Sequence, residues 1–188
     1  MSERSSIVVP GISLPEWLLE RELENVGRVF PDVNERLRMV IELACENVRR
    51  KTGGPFGAAV FERDSRKLFA VAVNLVVPSG QSFAHAEMAV IARTHFLTGT
   101  RNLDQFEIVS SCEPCVMCTG NILWSGIRSL VYGASEADAF EIGFDEGDKN
   151  REWADGFRRR GISVHGPMLP ADSVRPFQLY REMDGPIY

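Results

Sequence analysis

The sequence predicts an α/β domain in which a mixed sheet of about five strands carries helices on both faces. A hairpin of two apolar strands follows the first strong helix, and strands then alternate with helices to the end of the chain. No internal repeat or low-complexity segment interrupts this order. At 188 residues the chain has the length of one domain, which can bury roughly 70% of its unfolded surface without disulfides.

The N-terminal part of the chain has a weaker pattern than the rest. Residues 1–15 are predicted as coil and residues 16–30 as a helix of weak periodicity. We therefore expect residues 1–31 to form an extension that packs on the domain or on a second subunit, and residues 32–188 to form the domain itself. A stronger helix begins near Pro31, with apolar residues spaced as one helix face: Leu37, Val40, Ile41, Ala44, Cys45 and Val48.

The segments after this helix follow from apolar runs and from the turn residues that separate them. Gly53-Gly54-Pro55 ends the helix, and residues 78–80 and 143–149 are predicted as loops. The predicted strands cover residues 56–63, 67–76, 105–111, 127–133 and 162–165, and the predicted helices cover residues 84–97, 114–124, 135–142, 152–160 and 173–183.

Composition and charge exclude several classes of protein. The net charge of −5 does not favour binding to a long polyanion, since phosphate contacts need clustered Lys and Arg, so no nucleic-acid partner is expected. No apolar run approaches the roughly 20 residues of a membrane span, and the N-terminus lacks the apolar core of a signal peptide. Three of the four cysteines lie within seven residues, which favours a metal site in a reducing compartment such as the cytoplasm.

His85, Cys115 and Cys118 are the candidate metal ligands. One imidazole and two thiolates suit Zn²⁺, and three protein ligands leave the open fourth position that is typical of catalytic zinc. Two alternatives use Cys112: a closed structural zinc, or an iron–sulfur cluster on the C-x-x-C-x-x-C run. Both are disfavoured because Pro114 should begin a helix that excludes Cys112.

Glu87 is the candidate proton carrier. It stands two residues after His85, so both can reach one metal only if that metal lies beyond the N-terminus of their helix. A carboxylate beside a zinc-activated water could take a proton from that water and pass it to a substrate. The plain alternative is a first-turn glutamate that complements the helix dipole. The pattern H-x-E followed by P-C-x-x-C is, however, the signature of zinc-dependent deaminases.

The chain resembles the cytidine deaminase-like superfamily, and within it the bacterial guanine deaminases. The likeness covers about residues 53–153 and, more weakly, the 185–188 tail. The resemblance implies hydrolysis of guanine to xanthine and ammonia, a three-layer α/β/α fold, one Zn²⁺ per subunit and a homodimer; some relatives also accept aminotriazines such as ammeline. The residues that carry it are Gly53-Gly54-Pro55-Phe56-Gly57-Ala58, Asn74, His85-Ala86-Glu87, Ser111-Cys112-Glu113-Pro114-Cys115-Val116-Met117-Cys118, Trp124-Ser125-Gly126 and Gly143-Phe144-Asp145-Glu146-Gly147.

The same resemblance assigns the substrate-binding residues. Asn74 would hydrogen-bond the purine ring, Phe56 and Phe144 would sandwich the flat base, and Ala86 would contact it within the metal motif. A turn bond for Asn74 and a core position for Phe56 are the ordinary alternatives. Phe144 stands among polar residues, a setting that disfavours a core position.

The resemblance also assigns roles to Glu146 and Tyr188, in the C-terminal part of the chain. By resemblance, Glu146 is a second proton shuttle that serves the departing amine, with Asp145 as the rival for that role; the alternative is a solvated acidic loop. Tyr188 would close the tail over the site, although a frayed terminus is the usual state of a chain end.

The exact substrate stays open at this level. Residues before Gly53 and after Gly161 carry little family signal, so selectivity between a base and a nucleoside is unassigned. Deamination of another base, a nucleoside or tRNA adenosine is the alternative, and the last would require a basic surface. An inactive zinc-stabilised binding protein is a further alternative, although Glu87 and Glu146 are both present.

Overall fold

A short ribbon precedes the domain in this computed structural model, which describes residues 7–9 and 12–188, with side chains from residue 12 onward. Strands β1 (Ile7–Val9) and β2 (Ile12–Ser13) pair antiparallel. The prediction of coil is wrong for these stretches, because the β-branched run Ile7-Val8-Val9 favours extended pairing. Residues 1–6, 10 and 11, also predicted as coil, lie outside the described residues.

The predicted strands and helices that follow the ribbon are present, with most bounds shifted by a few residues, and a helical turn at Val76–Ser79 is added. No helix among the described residues is both long and apolar enough to span a bilayer. In chain order the elements are α1 (Glu16–Asn25), α2 (Val33–Arg49), β3 (Gly57–Glu62), β4 (Leu68–Val73), α3 (Val76–Ser79), α4 (Ala86–Thr98), β5 (Phe106–Cys112), α5 (Val116–Ser125), β6 (Ser129–Ala134), α6 (Glu136–Glu141), α7 (Trp153–Arg159), β7 (Ser163–His165), α8 (Pro170–Ser173) and α9 (Arg175–Glu182).

The main sheet is mixed, as predicted, with strand order β4-β3-β5-β6-β7. The β3–β4 hairpin and the β3–β5 pair are antiparallel, whereas β5, β6 and β7 run parallel. Helices α2, α8 and α9 form one outer layer, and α4 and α5 form the other. This three-layer arrangement confirms the predicted fold class and brings the start of α4 close to the start of α5.

Helix α2 is the principal helix of its layer. Its N-cap Asp32 accepts a hydrogen bond of 2.9 Å from the Asn34 amide, which satisfies a backbone donor at the helix start. The six apolar residues of the predicted stripe are all buried against the sheet, so Cys45 is a core residue, as its position predicted.

Helix α1 ends at Asn25, not near residue 30 as predicted. The chain leaves the helix because Gly27 adopts a positive φ of 79° and its amide donates to the Leu68 carbonyl. Helix α1 lies against the edge strand β4 of the same chain, where Leu18 is fully buried. These contacts attach the N-terminal segment to the sheet.

Three other predicted bounds differ from the structure. The predicted loop at residues 78–80 overlaps the single helical turn α3. Pro114 lies outside α5, because Cys115 is the N-cap of that helix. The predicted closing helix divides into α8 and α9, and Pro176 stands in the first turn of α9, where its missing amide hydrogen costs no helix bond.

A second, smaller hydrophobic cluster lies apart from the main core. The main core fills the space between the sheet and its helices. The smaller cluster gathers residues from the ends of β5 and β6 and from α9, next to the converging starts of α4 and α5. Its buried members are Val48, Cys112, Ala134, Ala139, Phe144, Phe177 and Tyr180.

Candidate active site

The three predicted metal ligands meet where α4 and α5 begin. His85 is the N-cap of α4 and Cys115 is the N-cap of α5, both with extended backbone. Nδ1 of His85 lies 3.5 Å from Cys115 Sγ and 3.6 Å from Cys118 Sγ. A ligand placed between them would also face the free amide groups of two helix N-termini, which favour negative charge.

The donor set and its spacing fit Zn²⁺. Across residues 12–188, one group of three or more His, Cys, Asp and Glu residues has ligating atoms within 4.8 Å of one another: His85, Cys115 and Cys118. Cys112, required by both alternatives for the metal, is not in that group, and its Sγ donates to the Ser135 carbonyl at 3.7 Å. The three ligands therefore match the open site expected of a catalytic zinc.

The two cysteines are electrostatically unequal. The pKa of the Cys115 thiol falls to about 4, because a hydrogen bond from Cys118 and then the neighbouring His85 stabilise its thiolate. The pKa of Cys118 is raised by the same hydrogen bond and by burial. The pair thus holds one thiolate ready to bind a metal, and coordination would displace the remaining thiol proton.

Glu87 lies inside the protein beside these ligands. Its residue is 5% exposed, Ser110 Oγ donates to its Oε1 at 2.8 Å, and Cys118 Sγ lies 3.5 Å from its Oε2. Burial, and then the Cys115 charge, raise the pKa of this carboxyl group. A carboxyl group whose pKa is raised by burial holds a proton more readily than an exposed one, which suits a group that passes a proton on.

The acidic loop between α6 and α7 supplies both candidates for the second shuttle. Asp145 and Glu146 line the same small cavity as His85 and Glu87. Asp145 is exposed, and its Oδ1 accepts a hydrogen bond of 2.9 Å from the Gly147 amide. Burial, and then the nearby Cys115 and Glu87 charges, raise the pKa of Glu146 to about 8.

The aromatic residues form one wall of this cavity, not two. The Phe56 and Phe144 rings touch edge to face, with centroids 5.0 Å apart and planes at 72°. No base fits between rings in contact, so the expected sandwich is not the geometry of the structure. Phe144 is also buried in the smaller hydrophobic cluster, contrary to the expectation drawn from its polar neighbours, because its ring turns inward against Tyr180 at a centroid distance of 5.9 Å.

The C-terminal tail reaches the cavity. The Tyr188 ring packs against Phe144 at a centroid distance of 5.1 Å, and the Tyr180 hydroxyl holds the tail by donating to the Pro186 carbonyl at 2.7 Å. Burial raises the pKa of the Tyr188 phenol. The cavity that remains measures about 40 Å³, room for only a few water molecules.

Asn74 lies at the end of β4, beside the Gly53-Gly54 loop. Its Oδ1 accepts a hydrogen bond of 3.1 Å from the Val76 amide, whereas its buried Nδ2 has no hydrogen-bond partner among the described residues. A Cβ atom added to Gly54 would lie 1.9 Å from the Tyr188 hydroxyl and 3.0 Å from Asn74 Oδ1, so these two groups are neighbours. Ala86, the first residue of α4, is fully buried next to His85 but does not line the cavity.

Several residues that support the site were missed in the sequence. Asn47 donates through Nδ2 to the Gly54 and Asn74 carbonyls, both at 2.9 Å. A polar residue at position 47, beside the buried stripe of α2, was the available signal. Ser110 gave no comparable signal, because its partner Glu87 is distant in sequence.

Comparison with known proteins identifies the class of this site. Residues 32–134 match the cytidine and deoxycytidylate deaminase zinc-binding region, a match that contains the three ligands and Glu87. The chain belongs to this family of zinc-dependent deaminases and is a hydrolytic deaminase that acts on a C–N bond.

Within this family, the chain is similar to several guanine deaminases. The chain is 34% identical to a guanine deaminase of Bacillus subtilis over 145 residues, which cover 77% of this chain and 91% of that protein. It is 39% identical to the solved guanine deaminase from Nitrosomonas europaea, with a TM-score of 0.84 over 90% of this chain and 94% of that one. A solved structure in complex with 2,6-diaminopurine has 39% identity and a TM-score of 0.88, covering 97% and 96% of the two chains.

Proposed function

We propose that this deaminase acts on a purine base and that its substrate is guanine, which it hydrolyses to xanthine and ammonia. The observation that carries the proposal is the buried Asn74 Nδ2, a donor without a hydrogen-bond partner among the described residues; Asn74 lies next to Gly54, as does Tyr188, which lines the cavity. A buried unpaired donor costs roughly 1–3 kcal/mol, a cost that a ring acceptor of the substrate would offset. The guanine deaminases among the similar proteins, and the diaminopurine bound in one of them, support a purine ligand.

The reaction needs two proton transfers, and the site offers a carboxyl group for each. Zn²⁺ held by His85, Cys115 and Cys118 would lower the pKa of a bound water towards about 7. Glu87 takes a proton from the attacking water and gives it to the ring nitrogen while oxygen bonds to the amino-bearing carbon. Glu146 then moves the second proton of that water to the amine. The C–N bond breaks, and ammonia leaves.

Glu146 is better suited to the second transfer than Asp145. A group that donates to the departing amine must carry a proton at neutral pH, and burial raises the pKa of Glu146 to about 8. Asp145 is exposed and is occupied by the Gly147 amide. These differences support Glu146 as the second shuttle.

The C-terminal tail acts, in this proposal, as a cover that opens for the substrate. The cavity of about 40 Å³ is far below the roughly 300–1,000 Å³ of small-molecule sites, so a base can enter only if the tail moves. Tyr188 would swing away from Phe144 on entry and return to exclude water. Aminotriazines such as ammeline, which are flat and carry ring amines, would enter by the same route.

The active form is proposed to be a homodimer that pairs through the exposed sides of α4 and α5. Phe96 near the end of α4 is 66% exposed and Trp124 near the end of α5 is 83% exposed, which is high for two large apolar side chains on adjacent helices. Light scattering should give twice the 21.0 kDa chain mass for the native protein and the single mass for Trp124→Glu. A monomeric native protein would refute this assembly.

A panel of substrates tests the function. Ammonia release would be followed with guanine, guanosine, cytosine, cytidine, adenine, ammeline and tRNA, each with and without a zinc chelator. We expect release from guanine above all others and its loss on chelation, with recovery when Zn²⁺ is restored. Preference for a pyrimidine, a nucleoside or tRNA would contradict the proposed substrate, and no release from any would favour an inactive binding protein.

A further inference from the structure

Lys149 is a buried cation next to the metal site, outside the residues assigned above. Its side chain is 3% exposed, and its Nζ lies 2.6 Å from Glu113 Oε1 and 3.6 Å from Glu136 Oε2. The same ammonium donates to the Pro114 carbonyl at 2.9 Å and lies 5.2 Å from the centre of the Trp153 ring. A lysine is seldom enclosed to this degree unless its partners fix it in place.

Glu113 is held as firmly as Lys149. Its Oε1 also accepts a hydrogen bond of 2.9 Å from Trp153 Nε1, and its Oε2 accepts one of 3.4 Å from the Glu136 amide. The Glu113 amide donates to the Ala134 carbonyl at 2.8 Å, which joins this residue to the end of β6. Lys149 therefore binds to a rigid part of the molecule.

The loop that contains Glu146 is attached to the start of α5 at two points. At the first, the Val116 amide donates to the Glu146 carbonyl at 3.0 Å. At the second, three residues later, Lys149 reaches the Pro114 carbonyl and the Glu113 carboxylate. Between them Gly147 has a positive φ of 76°, and an added Cβ would lie 2.6 Å from a Val116 methyl group, so the loop passes close against α5.

We infer that Lys149 is a positioning residue for Glu146. Its contacts with Glu113 and Pro114 hold the loop against the start of α5, and this attachment keeps the Glu146 carboxyl group in the cavity with Glu87 and His85. The Val116–Glu146 backbone bond holds one point of the loop against α5, and the Lys149 contacts hold a second point three residues later.

This inference rests on the proposed function, since it acts through the second proton transfer. Lys149→Met should lower kcat for guanine about 10- to 100-fold, because a displacement near 1 Å can cost a reacting group about 100-fold in rate. KM and bound zinc should change little. Lys67→Met, at an exposed lysine in the β3–β4 turn, is the matched control and should keep the native rate.

Removing Lys149 alone leaves the Glu113 carboxylate, which is 12% exposed, without its cation, and such a loss can unfold a protein. Glu113→Gln combined with Lys149→Met removes both charges and keeps the side-chain volumes and an acceptor for Trp153. This paired variant should melt close to the native protein and still lose about tenfold or more in kcat. A folded paired variant with the native kcat would overturn the inference.

A double-mutant cycle with Glu146→Gln separates positioning from a general structural role. If Lys149 acts through Glu146, adding Lys149→Met to Glu146→Gln should change kcat by less than about twofold. A full additive loss would show that Lys149 supports the metal ligands or the fold, and would overturn the inference while leaving the proposed function intact. A native kcat in Glu146→Gln alone would overturn both the role of Glu146 and the inference.

Discussion

Two buried carboxylates, Glu87 and Glu107, lie on opposite faces of the sheet and have different kinds of partner. Glu107 at the start of β5 faces Arg36 of α2, whose Nε lies 2.9 Å from its Oε1 as a close charge contact and not an aligned hydrogen bond. Glu87 at the start of α4 receives only the Ser110 hydroxyl and the Cys118 thiol among its described hydrogen bonds.

The difference separates a structural carboxylate from a chemical one. A guanidinium never gives up its charge in a protein, so Glu107 faces a fixed positive charge. The partners of Glu87 carry no fixed positive charge, and burial raises the pKa of its carboxyl group. The side chain that contacts the structural carboxylate is therefore a guanidinium, whereas a serine hydroxyl contacts the carboxyl group proposed to exchange a proton.

The same substitution at both carboxylates tests this comparison, and the largest effect on rate is expected at Glu87. Glu87→Gln should lower kcat by about 10²–10⁴-fold, the usual contribution of a general base, and should not lower the free energy of unfolding. Steady-state kinetics, zinc analysis and thermal melting would measure this. Native turnover in this variant would refute the assignment of Glu87 as the general base.

Glu107→Gln should do the reverse. It leaves Arg36 buried without an anion, which typically costs about 3–5 kcal/mol, while the rate per folded molecule stays near the native value. The Arg36 contacts with the Phe30 and Pro31 carbonyls, at 2.7 and 3.1 Å, would retain part of the stability. Urea unfolding is the measurement, and an unchanged midpoint would show that this ion pair is dispensable.

The two serines that serve these carboxylates give the smallest and most closely matched test. Ser110 donates to Glu87 and Ser129 donates to Glu107, both at 2.8 Å. Ser110→Ala should lower kcat about tenfold with little loss of stability. Ser129→Ala should cost about 1–3 kcal/mol of stability and leave kcat unchanged, since it removes a hydrogen bond to a buried charge. If both variants changed kcat and the free energy of unfolding by equal amounts, the distinction between a catalytic and a structural carboxylate would be wrong.

Much of the fold could be predicted because its helices and strands follow from local patterns of apolar residues. The stripe on α2 and the apolar runs of the sheet repeat at spacings that belong to helices and strands, and the structure forms them. The end of α1 was missed because a tertiary contact decides it. Gly27 turns out of the helix to bond Leu68, a partner forty-one residues away that no local pattern reveals.

The candidate site also contains residues that local sequence predicts and residues whose positions depend on tertiary contacts. His85, Glu87, Cys115 and Cys118 stand in two short motifs, so their association can be predicted from local sequence alone. The wall formed by Phe56 and Phe144 could not be foreseen, because the contact between these rings depends on how a loop folds onto the smaller cluster.

Strand β5 bears residues of both kinds three positions apart: Glu107 points to the α2 side and Ser110 to the α4 side. Successive side chains of a strand alternate between faces, so a shift of one residue would move every side chain to the wrong side. β5 is bonded along both edges, to β3 and to β6, and neither edge is open for sliding. Any insertion or deletion within this strand would therefore abolish rate and stability together, whereas point changes can separate them.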